Sequence, residues 1–283
     1  VERPLKFKPS FAEKGLVALY RILLAITRRH GLLTLAKTNS RIFPRGQVVA
    51  LPAGAVLFIP SDPHFFGFVL GTHEQHITEI LLSSVKAGDV CVDVGANIGY
   101  FTAIMARLAG KSGKVVSFEP VPENFAILKT NAELISAVDA SVTAVNAAVS
   151  ERAGFVRILR REYSTYHQVE PIEESPKVAG GIPCVCLDEE LPRLLKTTRV
   201  SFLKIDVEGH ELPVLRGLRQ SLASGSIDKL IVEVTPGPDL AEIGQILASS
   251  ARPLKCWVGS RWREQNISDL KERTDVLVEC GSL

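Results

Sequence analysis

The chain is expected to fold as a doubly wound α/β domain. Its sheet should be mostly parallel and seven-stranded, closed by an antiparallel hairpin and preceded by a small helix and β extension. Three observations lead there. From residue 90 onward short apolar runs alternate with helical segments, the pattern of a parallel sheet covered on both faces. The first of these runs ends in an acidic, glycine-containing loop that opens a helix. The composition, 46% hydrophobic and 23% charged over 283 residues, is that of a globular protein able to bury a large core.

Residues 1–70 form the expected extension and 71–283 the main domain. Residues 11–29 read as a helix, with Lys14, Arg21 and Arg28 spaced by seven and Leu16, Leu19, Leu23 and Ile26 over much of the remaining surface. Residues 1–45 carry ten basic residues against two acids, which leaves the rest of the chain acidic. Such a segment suits peripheral contact with an anionic membrane surface or a second subunit in a homo-oligomer; a solvated helix face is the alternative. Residues 47–60 look like two short strands around Pro52-Ala53-Gly54. A helix over 71–86 follows.

Within the main domain, strands are expected at Val90–Val94, Lys114–Phe118, 142–148, 201–205 and Lys229–Val234. Helices fall near 98–109, 122–136, 210–222 and 239–249. Residues 155–159 and 182–186 add strands around a polar stretch, and 254–258 with 275–280 read as the closing hairpin. No apolar run is long enough to span a bilayer; residues 16–26 come nearest but are interrupted by Arg21. A net charge of +2 and few aromatic residues argue against nucleic acid as a partner. The five cysteines lie mostly in strand-like runs, which fits buried thiols and a cytoplasmic location. Cys184 and Cys186 lack a second pair to complete a zinc site.

The chemistry concentrates at the ends of three strands. After the first comes Asp93-Val94-Gly95-Ala96-Asn97-Ile98-Gly99. Gly95 lets backbone approach a ligand, and Gly99 allows tight packing where the helix begins. A dinucleotide loop needs glycine where Asn97 stands, and a carboxylate at Asp93 repels pyrophosphate but pairs with an ammonium group. Glu119 ends the second strand, 24 residues after Gly95, placed to accept both hydroxyls of a ribose. The fourth strand leads into Asp206-Val207-Glu208-Gly209-His210-Glu211, and ligands of open α/β sheets lie outside such carboxyl ends. Asp206 is the first candidate for a general base, with a structural or cofactor-holding carboxylate as the alternative. Glu208 and Glu211 are placed to satisfy backbone N–H groups at the next helix start, or to join Asp206 and Glu233 around a divalent ion; no metal is assigned. His73-Glu74-Gln75-His76 is too sparse for zinc. His167, with Tyr163 and Tyr166, sits in a polar loop suited to cover an acceptor pocket.

Taken together, the run from Val92 to Phe101, Phe118-Glu119-Pro120 through Phe125 with Asn131, Leu187-Asp188, Lys204 to Glu211, and Val232-Glu233-Val234 resemble the motifs of the FkbM-type methyltransferases, in order from about residue 71 to 236. The resemblance implies a Rossmann-like class I methyltransferase fold with S-adenosyl-L-methionine as cofactor. It implies cofactor contacts at Asp93, Gly95, Ala96, Asn97, Gly99, Glu119, Pro120, Asn146, Ala148 and Asp206; Asp206 and Glu208 at the fourth-strand end are the catalytic candidates. It further implies O-methylation of a sugar or other small-molecule or glycan acceptor. A non-catalytic module that binds the cofactor as sensor or scaffold is the other function to be tested. His210 occupies a slot where the family often has a small residue.

Overall fold

The computed structural model describes residues 11–26, 32–159, 168–172, 181–195, 199–249 and 254–280. The basic residues Arg3, Lys6, Lys8, Arg28 and Arg29 and the loop residues Tyr163, Tyr166 and His167 lie outside these ranges.

Helix α1 (Phe11–Ile26) buries Tyr20 and Leu24 against the body and turns Leu19 and Ile22 outward. Helix α2 (Leu32–Ile42) buries Ala36 and Asn39 and exposes Leu33, Lys37, Arg41 and Ile42. Among the described residues no helix is long and apolar enough to cross a membrane. Strands β1 (Gln47–Ala50) and β2 (Val56–Ile59) then form the expected antiparallel pair around the Pro52–Gly54 turn. The chain continues through α3 (Phe66–Leu70) and α4 (Gln75–Ser84). The helix expected over 71–86 therefore begins later. Gly71, at φ 63°, closes α3 in the left-handed conformation, and Glu74 at φ 39° turns the chain again before α4 can start.

Strand β3 (Val90–Val94), helix α5 (Tyr100–Ala109), strand β4 (Lys114–Phe118), helix α6 (Pro122–Ser136) and strand β5 (Ser141–Val145) follow in the expected rhythm. The strand expected over 142–148 is broken at Asn146, whose Nδ2 donates to the carbonyls of Glu119 and Pro120. Beyond it β6 (Ala148–Val149) leaves for a second sheet with β7 (Gly154–Leu159), β8 (Gln168–Ile172) and β9 (Ile182–Val185), in the order β6-β9-β7-β8. Helix α7 (Leu187–Leu195) has no counterpart in the sequence-based expectation. Pro192 lies inside it, yet Leu187, Leu191 and Leu195 are all buried on its inner side.

Strand β10 (Phe202–Ile205) precedes two short helices, α8 (Glu211–Arg216) and α9 (Arg219–Ala223), where one helix over 210–222 was expected. The break falls at Gly217, where a Cβ would stand 2.4 Å from the Ser150 carbonyl oxygen. Strand β11 (Lys229–Val234), helix α10 (Leu240–Ala248) and strands β12 (Lys255–Val258), β13 (Arg261–Glu264) and β14 (Thr274–Glu279) complete the chain.

Among the described residues the main sheet runs β13-β12-β14-β11-β10-β3-β4-β5, with β11, β10, β3, β4 and β5 parallel. The seven strands from β12 to β5 make up the expected mostly parallel sheet with its antiparallel end. β13 is an added edge strand, because β12 makes its hairpin with β13 while β14 inserts between β12 and β11. Side chains alternate across this sheet. Val92, Val94, Val116, Phe118, Leu203 and Ile205 pack toward α7 to α10, and Cys91, Val115 and Phe202 pack toward α4, α5 and the β1–β2 pair. Burying each such Val, Leu or Phe contributes roughly 1.5–3 kcal/mol. Asn131 of α6 ties β2 to this core: its Nδ2 donates to Phe58 O and Ile98 O, and its Oδ1 accepts from Phe58 N. Cys184 and Cys186 are buried, their thiols donating to the carbonyls of Arg152 and Gly217.

Candidate active site

A cleft of about 380 Å³ opens at the carboxyl ends of β3, β4 and β10. The strand period dictates what faces it. Asp93 lies in register with Ser117 on one side and Lys204 on the other, all on the face that packs on α5. Three polar groups thus replace the apolar alternation at the strand ends. Thr102, one turn into α5, donates to Asp93 Oδ2 at 2.6 Å and lies 2.9 Å from Ser117 Oγ. Asp93 Oδ1 is buried with no hydrogen-bond partner, although the residue lines the cleft. Burial holds the Asp93 carboxyl above its ordinary pKa, with Lys204 pulling the other way.

Gly95 follows at φ 80°. A Cβ there would lie 1.8 Å from the Asp206 carbonyl oxygen, so only glycine lets the β3 and β10 ends come this close. Asn97, at φ 53°, donates its backbone N–H to Glu119 Oε2 at 2.8 Å. The other oxygen of Glu119 accepts from Val121 N, also at 2.8 Å. The Asn124 side chain donates to the same carboxylate. Burial pushes the Glu119 pKa up to about 7 despite these three donors. Ala96, Asn97, Glu119, Pro120 and Ala148 line the same cleft. Asn146 stands behind it, bracing the Glu119–Pro120 backbone, and Gly99 caps α5 at φ 96°.

The far side of the cleft is acidic. Lys204 is buried and donates to Asp206 Oδ2 at 2.9 Å, with its Nζ 4.9 Å from the centre of the Phe101 ring. Burial works against the Lys204 charge, but Asp206, Asp93 and Glu74 outweigh it and raise its pKa. Burial likewise works to raise the Asp206 pKa, and there Lys204 and then Arg273 prevail and hold it below the usual carboxylate range. Glu208, at φ 55°, reaches Arg273 at 2.9 Å rather than the start of α8. Glu211 is the residue that satisfies that turn, accepting from Gly209 N at 2.8 Å. Burial, followed by repulsion from Asp206, pushes Glu208 up to about 7 and Glu233 up to about 8.

Of the His73-Glu74-Gln75-His76 run, the first two residues line the cleft. Burial lowers His73 to about 4, leaving it neutral, and raises Glu74 to about 7. Glu74 Oε2 is buried without a hydrogen-bond partner. His76 turns away, bonding Asp275 at 2.6 Å and stacking on Trp257. His210 is buried, its Nε2 3.1 Å from Ser150 Oγ, and burial lowers its pKa. Sequence reasoning missed Arg273, Tyr100 and Phe68. Tyr100 and Phe68 contribute, with Phe101 and His73, an aromatic wall. Arg273 had no local signal, because its partners lie 40 or more residues away in sequence.

S-adenosyl-L-methionine fits these residues. The unpartnered oxygen of Asp93 calls for a donor such as an ammonium, and the Glu119 carboxylate lines the cleft at the neighbouring strand end. A family model described as the methyltransferase FkbM domain matches residues 93–254. The hexuronic acid methyltransferase AglP of Haloferax volcanii is 30% identical over 188 residues, 62% of this chain and 69% of that protein. Methyltransferase 1 of Beauveria bassiana is 30% identical over 159 residues, 50% of this chain and 63% of that one. The solved methyltransferase FkbM from Methylobacillus flagellatus is 16% identical with a TM-score of 0.44, covering 76% of this chain and 53% of that one. The chain thus spans about two thirds of the length of these curated relatives and about half of that solved chain. The chain belongs to the FkbM methyltransferase family and to the class I methyltransferase fold, with S-adenosyl-L-methionine as donor.

Proposed function

We propose that this FkbM-family methyltransferase transfers a methyl group to a hydroxyl of a sugar or comparable polyhydroxylated small molecule. The observation that carries the reading is the carboxylate-lined side of the cleft, where Glu74, Glu208 and Glu233 stand beside the Asp93–Glu119 side. Carboxylates accept hydrogen bonds from hydroxyl groups, and the aromatic wall offers a sugar ring an apolar face. The similarity to a protein named as a hexuronic acid methyltransferase supports the same class of acceptor.

Asp93, Gly95, Ala96, Asn97, Gly99, Glu119, Pro120, Asn146 and Ala148 would hold the cofactor, directly or by shaping its loop. When bound, it supplies an electrophilic methyl on a sulfonium, which needs alignment more than activation. The chain must then align a hydroxyl and receive its proton. Of the two expected catalytic residues, Asp206 is the weaker base, because Lys204 and Arg273 hold its pKa down. Glu208, at about 7, is matched to accept a proton near neutral pH. Asp206 then serves as a fixed negative charge beside it. The buried thiols Cys91, Cys184, Cys186 and Cys256 support a reducing, cytoplasmic location.

The test is formation of S-adenosylhomocysteine against a panel of neutral and uronic sugars. Glu208→Gln is expected to abolish turnover while cofactor affinity by calorimetry stays within about threefold. Loss of turnover in Glu74→Gln instead would move the base to Glu74. Cofactor binding without turnover on any hydroxyl acceptor would favour the non-catalytic module.

A further inference from the structure

We propose that Arg273 is the positioning residue of the acceptor side, an internal cation standing where three carboxylates would otherwise gather a divalent metal ion. Asp206 lies just beyond β10, Glu208 in the turn after it, and Glu233 within β11. Each offers an oxygen within 4.8 Å of the other two. Like charges so close repel one another. Arg273, arriving from the segment before β14, offsets part of that repulsion. Its Nη2 lies 2.9 Å from Glu208 and 3.9 Å from Asp206, and it also bonds Glu233.

Lys204 does not fill this role, because its Nζ is committed to Asp206 from below. The guanidinium therefore binds the two carboxylates that Lys204 does not reach. Both contacts run through the one nitrogen Nη2, which ties the two carboxylates to a single donor. Arg273 thereby fixes where Glu208 stands relative to the acceptor. The order of the strands makes this possible: β14 lies beside β11, so a residue just ahead of it reaches Glu233 across one strand spacing.

The test uses Mn²⁺ as probe, which needs no acceptor, so its outcome is separate from that of the proposed sugar methylation. Wild-type protein is expected to bind no Mn²⁺ at this cluster by paramagnetic resonance and calorimetry. Arg273→Ala and the bulkier Arg273→Gln should each gain one site, at least about tenfold tighter than any wild-type binding. Adding Glu233→Gln should abolish the gain, and Arg273→Lys should show none. With an acceptor in hand, Arg273→Gln should lower kcat more than it raises the KM for cofactor, with partial rescue by Arg273→Lys. Folding of each variant is checked by cofactor affinity. The proposal is overturned if both neutral variants fold and stay silent toward Mn²⁺, or if the wild type binds it as they do.

Discussion

Gly95→Ala tests how the two halves of the cleft are joined. The substitution acts twice. At φ 80° a residue with a Cβ costs about 1–2 kcal/mol relative to glycine. The new Cβ would also lie 1.8 Å from the Asp206 carbonyl oxygen, whereas real Cβ contacts stay beyond 3.0 Å. The β3 and β10 ends must therefore separate by about 1.2 Å, which disrupts the 3.0 Å bond from Asp206 N to Val94 O. A lost buried hydrogen bond adds about 1–3 kcal/mol. The expected destabilisation is about 2–5 kcal/mol, a large share of a typical folding free energy. Urea unfolding followed by tryptophan fluorescence measures it, and calorimetry with S-adenosyl-L-methionine should show affinity falling in parallel. Gly259→Ala is the control. Gly259 has φ 55° but nothing within 4 Å of the added carbon, so only the conformational cost remains. If Gly95→Ala loses no more stability than Gly259→Ala, the close approach of the two strand ends is not what requires glycine.

Three further outcomes are expected. Glu119→Gln should weaken S-adenosyl-L-methionine binding by about 10- to 100-fold in calorimetry, the loss of charged acceptors, while NAD gives no heat with either protein. Asn131→Ala strands Phe58 N, Phe58 O and Ile98 O and should cost about 2–4 kcal/mol in urea unfolding; an unchanged midpoint would deny it the bracing role. The folded-state pKa of Glu74, Glu119 and Glu208 is raised to about 7 and that of Glu233 to about 8, from an ordinary 4.5. Between those values the folded state binds more protons than the unfolded one, so stability should fall as pH rises from 5 to 8 in a series of urea midpoints. Glu233→Gln should flatten the upper part of that decline, and a midpoint that rises across the window would contradict the burial argument.

Much of the fold was legible because its signals are local. The runs Val90–Val94 and Lys114–Phe118 announce strands by composition, and Pro52-Ala53-Gly54 announces a turn. What misled were residues whose local preference is overruled by distant partners. Asn146 ends a strand because it is needed to hold the Glu119–Pro120 backbone. Gly217 breaks a helix because Ser150 lies against it. Pro192 hides a helix whose buried leucines hold it in place.

The candidate site divides along the same line. Asp93, Gly95, Asn97 and Glu119 could be picked out from sequence alone, because a strand, a tight turn and a helix start are formed by neighbours in the chain. Their spacing already carries the chemistry of the cofactor side. On the acceptor side the sequence also picked out Asp206, Glu208 and Glu233, but their partners came from tertiary structure. Register across separate strands sets Lys204 opposite Asp93, and the insertion of β14 beside β11 brings Arg273 to Glu208 and Glu233. No window of sequence contains those pairs. Charges that far apart along the chain acquire their partners, and their shifted affinities for protons, only when the sheet order brings them together.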